Sequence, residues 1–264
     1  MSALPDVPTS LYRPHAEAPA RLSSLREATD GEGRSECFEV VSRGDFVPGR
    51  LHRPTSVGPH PLVLVLGGSA AWDRGVEQGL AVARIDLPLL GARQSPKLTD
   101  RLVGGHACLI RDEPLDPDTH ALFEEFARQS VSDVVRSLEA LAADAGVDGS
   151  RIALVGAGIG ASVCAWALPF APALHACVLA GPVGAFADER LDPAARIGTA
   201  GLGDVRCRLY ATAGGPSEAA VGALAERLPG RPTPETLNAP VDAAAWAENE
   251  RESILDFVAR SLAG

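Results

Sequence analysis

Arg151-Ile-Ala-Leu-Val-Gly156-Ala157-Gly158-Ile159-Gly160-Ala161-Ser162 is the stretch on which the fold turns. Ile152 to Val155 is a short, wholly apolar run, which is the pattern of a strand buried on both faces. It passes directly into glycines and then into residues that can open a helix near Gly160. A strand, a tight glycine turn and a helix in immediate succession need small residues at the bend. Only glycine accepts close backbone approach and positive φ without penalty.

Working outward, the same style of element recurs. Cys37–Ser42 and Gly49–Arg53 flank Gly44-Asp45 as a predicted hairpin, and Leu62–Leu66 is an apolar strand that runs into Gly67-Gly68. Leu80–Leu87 supplies the next strand. Phe123–Ala142 has apolar residues at helical spacing, with Arg128, Asp133, Arg136 and Glu139 on the other face. Further strands are expected at Ala176–Ala180 and Cys207–Ala211, and Ser253–Leu262 reads as a closing amphipathic helix. Alternating strands and helices predict an α/β domain with a mostly parallel sheet of about eight strands flanked by helices on both faces, and with ligands at the carboxyl ends of the strands. Residues 1–35 read as a polar, proline-bearing N-terminal extension and 36–264 as one domain. Residues 95–119, holding Pro96, Pro114 and Pro117, read as a surface insertion that could edge the site.

Composition narrows the function classes. The 264 residues carry a formal net charge of −10, and Lys and Arg are scattered, so no basic patch predicts a nucleic-acid partner. The apolar runs are far shorter than the roughly 20 residues of a membrane-spanning helix. The first thirty residues show no signal-peptide pattern. The five cysteines form no CxxC pair and are read as reduced thiols of a cytoplasmic protein. No His/Cys/Asp cluster has metal-ligand spacing, and the reading calls for no cofactor.

The Gly156–Gly160 turn resembles the nucleophile elbow G-x-S-x-G of the α/β-hydrolase fold. Other ordered stretches are similar to the dienelactone-hydrolase and acyl-peptidase-like branch. These are Gly44-Asp-Phe-Val-Pro-Gly-Arg-Leu51, Pro61-Leu-Val-Leu-Val-Leu-Gly-Gly68, Ile85-Asp86-Leu-Pro88 with Gly91 and Arg93, Ser132-Asp133, and Val147-Asp148 with Arg151. The resemblance implies a serine at position 158, an acid after the strand at Cys207–Ala211 and a histidine before the closing helix. The chain has Gly158, no acid in Ala213–Ser217 with Glu218 only displaced, and no histidine after His175. Leu66 and Ala157 also depart from the family pattern, which has histidine before the Gly-Gly pair and often an aromatic or histidine before the nucleophile.

A triad needs a nucleophile, a base and an orienting acid together. Its loss predicts a degenerate hydrolase relative that keeps an oxyanion-type pocket, built from Gly68, Ser69, Gly158 and Ile159, for a small acyl or carboxylate ligand or for a protein partner. The alternative is a non-hydrolytic cyclase, isomerase or lyase that draws an acid or base from His106, Asp86, Glu218 or Asp242. Gly156, Gly158 and Ala161 also satisfy the dinucleotide fingerprint G-x-G-x-x-G/A, although the acid expected about 20 positions on is missing from Ala176–Pro182. Ser162 and Cys164, one helical turn down, are expected to pack rather than react. Ser69 is read equally as a turn former, and His106 and His120 as surface or capping residues. Asp86 and Arg93 are read as ties between loop and sheet.

Overall fold

The computed structural model describes residues 19–29, 33–171, 174–182, 205–212, 216–228, 232–237 and 243–263. Their strands form one nine-stranded sheet in the order β1-β2-β3-β5-β4-β6-β7-β8-β9. The strands are β1 Ser23–Thr29, β2 Gly33–Ser42, β3 Asp45–Pro54, β4 His60–Leu66, β5 Ala81–Ile85, β6 Val147–Ala157, β7 Leu174–Ala180, β8 Arg206–Thr212 and β9 Glu235–Leu237. β4 to β9 pair in parallel, whereas β1, β2 and β3 add an antiparallel edge against β5. The sheet begins inside the segment read as an extension, because residues 23–29 pair with β2. Residues 1–18 of that segment lie outside the described residues.

The helices are α1 Pro96–Ile110, α2 Pro117–Ala142, α3 Ile159–Ala167, α4 Pro216–Arg227, α5 Ala243–Asn249 and α6 Arg251–Leu262, with a 3₁₀ segment over Ala70–Gln78. Side-chain alternation along the central strands divides the core. Leu62, Leu64 and Leu66 of β4, with Ile152 and Leu154 of β6, face α1, α2 and α3. Val63, Val65, Ala153, Val155 and Ala157 face the other way, toward Trp72 of the 3₁₀ segment and Ile254, Leu255 and Val258 of α6. Each fully buried branched side chain removes enough apolar surface to contribute about 1.5–3 kcal/mol, so a double-sided strand such as β4 anchors both layers.

Two helices differ from the sequence reading. The segment 95–119 holds a regular helix, α1, and α2 starts six residues before Phe123. In both, a proline stands in the first helical turn, where its missing N–H has no helical partner to lose. Asp116 caps α2 by accepting from the N–H groups of Asp118 and Thr119. Inside α1, Gly105 permits the approach of α2, since a Cβ there would lie 2.6 Å from Thr119 and 2.8 Å from the Phe123 ring.

Loop positions beyond β5 are fixed by charge. Arg93 donates to Asp133 at 2.6 Å, to Asp45 at 2.8 Å and to the Asp86 carbonyl, while the Asp86 carboxylate accepts from the Ala92 N–H. Burial pushes the Asp133 carboxyl up, and the guanidinium beside it pulls it back. Asp86 and Arg93 thus tie the loop to the sheet, as expected from their positions. Among the described residues all cysteines are free, and burial raises the thiols of Cys164 and Cys177. No described helix is long and apolar enough to cross a membrane.

Candidate functional site

β6 lies near the middle of the sheet, between β4 and β7, and its carboxyl end is where the chain bends into α3. Gly158 makes the bend with φ 54° and ψ −124°, a conformation that side-chain-bearing residues rarely adopt. Its N–H donates to the Ala180 carbonyl at 2.9 Å, and its carbonyl accepts from Ala161 and Ser162. The amides of Ile159 and Gly160, at the start of α3, have no acceptor within the helix.

The neighbouring glycines serve steric ends. A Cβ on Gly156 would lie 2.5 Å from the Gly160 carbonyl oxygen and 2.6 Å from the Cys164 sulfur, and one on Gly160 would run into the Leu66 carbonyl. Gly67, at φ 81°, passes over Ala157 and Gly160. The loop after β4 is therefore held directly against the elbow. Ser162 and Cys164 are buried in the packing of α3, as expected.

The space in front of Gly158 is different. A Cβ built there meets one described atom within 4 Å, Cε1 of His106 at 3.8 Å. His106 belongs to α1, one residue beyond the Gly105 contact with α2. The sequence placed His106 in a surface insertion without a partner, and no short-range pattern could have brought it to residue 158. Of the other acid or base candidates, Asp86 is committed to the Ala92 N–H, Glu218 is exposed on α4, and Asp242 lies outside the described residues, as does 213–215. His120 pairs with Glu124 on α2 at 3.5 Å.

Ser69 has a defined role. Its hydroxyl caps the 3₁₀ segment by accepting from the Ala71 N–H, and it also donates to Glu248 Oε2 at 3.0 Å. The Ser69 N–H and Trp72 Nε1 donate to Glu248 Oε1 at 2.8 and 2.9 Å. Hence the expected ligand donor at Ser69 is engaged by a carboxylate of the protein itself, from α5. Neither Trp72 nor Glu248 was singled out by the sequence, and the 179-residue separation explains why. Gly68 packs beneath the Trp72 ring, where a Cβ would lie 2.6 Å from Cδ1.

A separate polar cavity of about 550 Å³ opens at the amino-terminal edge of the sheet, around Arg34, Glu36, Arg53, His60 and Asp144. Arg53 bridges Glu36 and Asp144 there. Among the described residues no group of His, Cys, Asp and Glu has the arrangement of a metal site.

No family model matches the chain, and no curated protein does. Solved structures do match. A cold-adapted esterase from an Arctic intertidal metagenomic library superposes with a TM-score of 0.63 at 16% identity, over 91% of this chain and 99% of that one. A dienelactone hydrolase-like promiscuous phosphotriesterase from metagenomic libraries gives 0.59 at 19% identity, over 88% and 99%. Acetyl xylan esterase 1 from Thermoanaerobacterium sp. gives 0.60 at 13%, over 96% and 91%. At these identities the likeness is one of architecture, and with the sheet order, the central elbow and helices on both faces it establishes that this chain has the α/β-hydrolase fold.

Proposed function

We propose that this protein is a catalytically degenerate hydrolase relative that binds a small acyl- or carboxylate-bearing ligand in front of Gly158 and forms no covalent intermediate with it. The observation that carries the reading is the elbow itself: the strained bend is kept, the residue at its apex has no reacting atom, and one imidazole edge is the described neighbour of the space a side chain would fill. The amides of Ile159 and Gly160, which have no acceptor within α3, suit an oxyanion or acyl oxygen of the ligand. In triad enzymes, loss of the nucleophile or base costs about a million-fold in turnover. Ester hydrolysis at ordinary rates is therefore not expected.

The test is calorimetric titration with acetate, butyrate and benzoate beside a panel of activated esters and lactones. The expected result is saturable binding that weakens in His106→Ala, with no acyl burst. A burst of product, or carboxylates that fail to bind, overturns the reading.

A second reading has one observation in its favour. The His106 imidazole stands beside the elbow, so a bound substrate could exchange a proton with it, and the fold would then support an isomerisation, cyclisation or elimination without a nucleophile. Turnover abolished in both His106→Ala and His106→Gln would favour it. The dinucleotide reading has less support, because the fingerprint strand is the sixth of the described strands and the end of β7 offers Ala180, Gly181 and Pro182 in place of an acid.

A further inference from the structure

Glu248 is held as a ligand would be held. One carboxylate oxygen takes the Ser69 N–H at 2.8 Å and the Trp72 indole N–H at 2.9 Å, and the other takes the Ser69 hydroxyl at 3.0 Å. The Arg251 guanidinium stands 3.5 Å from that second oxygen. Charge-assisted bonds from converging donors are the usual means of recognising a carboxylate.

The donors and the occupant differ in how firmly they are fixed. Trp72 is only 1% exposed and lies against Gly68 and the Val65 side of the sheet, so its N–H is set by the core. Ser69 is set by the cap it makes on the 3₁₀ segment. Glu248, by contrast, has a side chain 29% exposed and rides on α5, a helix of seven residues held to the core through Ala247 and the contact of the Trp246 ring with Tyr210. Helices that short have little stability of their own. Arg251 Nε is buried with no hydrogen-bond partner among the described residues, which leaves a spare cationic donor beside the carboxylate. The same loop, through Gly67, rests on the elbow at Ala157 and Gly160.

We infer that Ser69, Trp72 and Arg251 form a carboxylate receptor that Glu248 fills in the ligand-free protein, and that the ligand's carboxylate takes Glu248's place when α5 undocks. The inference rests on the proposed function and names the ligand's anchoring group and its internal competitor. An internal competitor lowers apparent affinity by the fraction of time the receptor is open. Removing it raises affinity by the same factor, which for a receptor closed most of the time is about tenfold or more.

The experiment titrates full-length wild type, Glu248→Ala, Glu248→Gln and the double variant Glu248→Ala/Trp72→Phe with sodium butyrate, and follows hydrogen exchange across residues 243–249 in the wild type. Expected are butyrate binding at least about tenfold tighter in Glu248→Ala, a smaller gain in Glu248→Gln, loss of the gain in the double variant, and faster exchange of α5 in wild type at saturating butyrate. Should Glu248→Ala fold poorly, the isosteric Glu248→Gln keeps the comparison. Equal affinity in wild type and both single variants, with α5 exchange unchanged, overturns the receptor and leaves binding at Gly158 standing, even if the variants melt lower. Absence of butyrate binding in every protein overturns both.

Discussion

Replacing glycines along the elbow separates torsional from steric demands. Gly158 alone among Gly156, Gly158 and Gly160 has positive φ, and a Cβ on it would touch His106 only at an ordinary 3.8 Å. Gly158→Ala therefore incurs the backbone term alone, about 1–3 kcal/mol, which for a domain of this size lowers Tm by about 2–12 °C. Gly160→Ala has the opposite profile. Its backbone is unstrained, but the new methyl would run into the Leu66 carbonyl. That carbonyl cannot retreat, because Leu66 is paired with Gly156 across the two central strands. Overpacking against side chains typically costs about 1–3 kcal/mol, so against fixed backbone Gly160→Ala is expected to exceed that and to destabilise more than Gly158→Ala. Gly156→Ala should fall between, since the Cys164 side chain at 2.6 Å can rotate although the Gly160 carbonyl at 2.5 Å cannot. Urea unfolding of the three variants, read at constant m, gives the order. A Gly158→Ala variant within about 0.5 kcal/mol of wild type would mean that the residue does not hold the bend. A Gly160→Ala variant milder than Gly158→Ala would refute the packing argument.

Two further outcomes follow from the charged groups. Arg93→Ala leaves Asp133, which has no exposed surface, without its partner, so a loss of about 3–5 kcal/mol is expected. Adding Asp133→Asn should recover part of the loss. Because burial holds the folded-state Asp133 carboxyl above its ordinary value, the folded form takes up its proton first as pH falls, and the deficit of Arg93→Ala should shrink in acid rather than grow. Asp148 is the converse case. Hydrogen bonds from Ser150 and then Arg151 draw its carboxyl from 3.8 to about 2. Its contribution is fully present above the ordinary value and is lost as pH falls toward about 2, so melting curves of wild type and Asp148→Asn should differ by at most about 1 kcal/mol near pH 7 and converge near pH 2.

The fold was legible because its signals are local. The run Leu62–Leu66 ending in glycines, the elbow at Gly156–Gly160 and the helical spacing in α2 each declare one element within a few residues. Their order then leaves few topologies. Legibility stopped at residues 95–119, read as a surface insertion although Pro96 and Pro117 stand in the first turns of α1 and α2. It stopped again at the site. His106 of α1 reaches Gly158, and Glu248 of α5 reaches Ser69, only in the assembled fold. Side chains that meet across such distances leave no pattern in sequence, whereas a glycine that must avoid a clash stands next to the element it serves.

The three elbow glycines answer to different demands. Gly156 and Gly160 are required by the contacts of β6, α3 and the end of β4, so any large side chain there would disturb the core irrespective of activity. Position 158 is different in kind: no contact among the described residues demands glycine, and a side chain there would carry about 1–3 kcal/mol of backbone strain. On this argument a protein with serine at 158 should be less stable than the present one by the torsional term, and the loop beneath Trp72 should be indifferent to the change, because Glu248 rather than any group at 158 holds it in place.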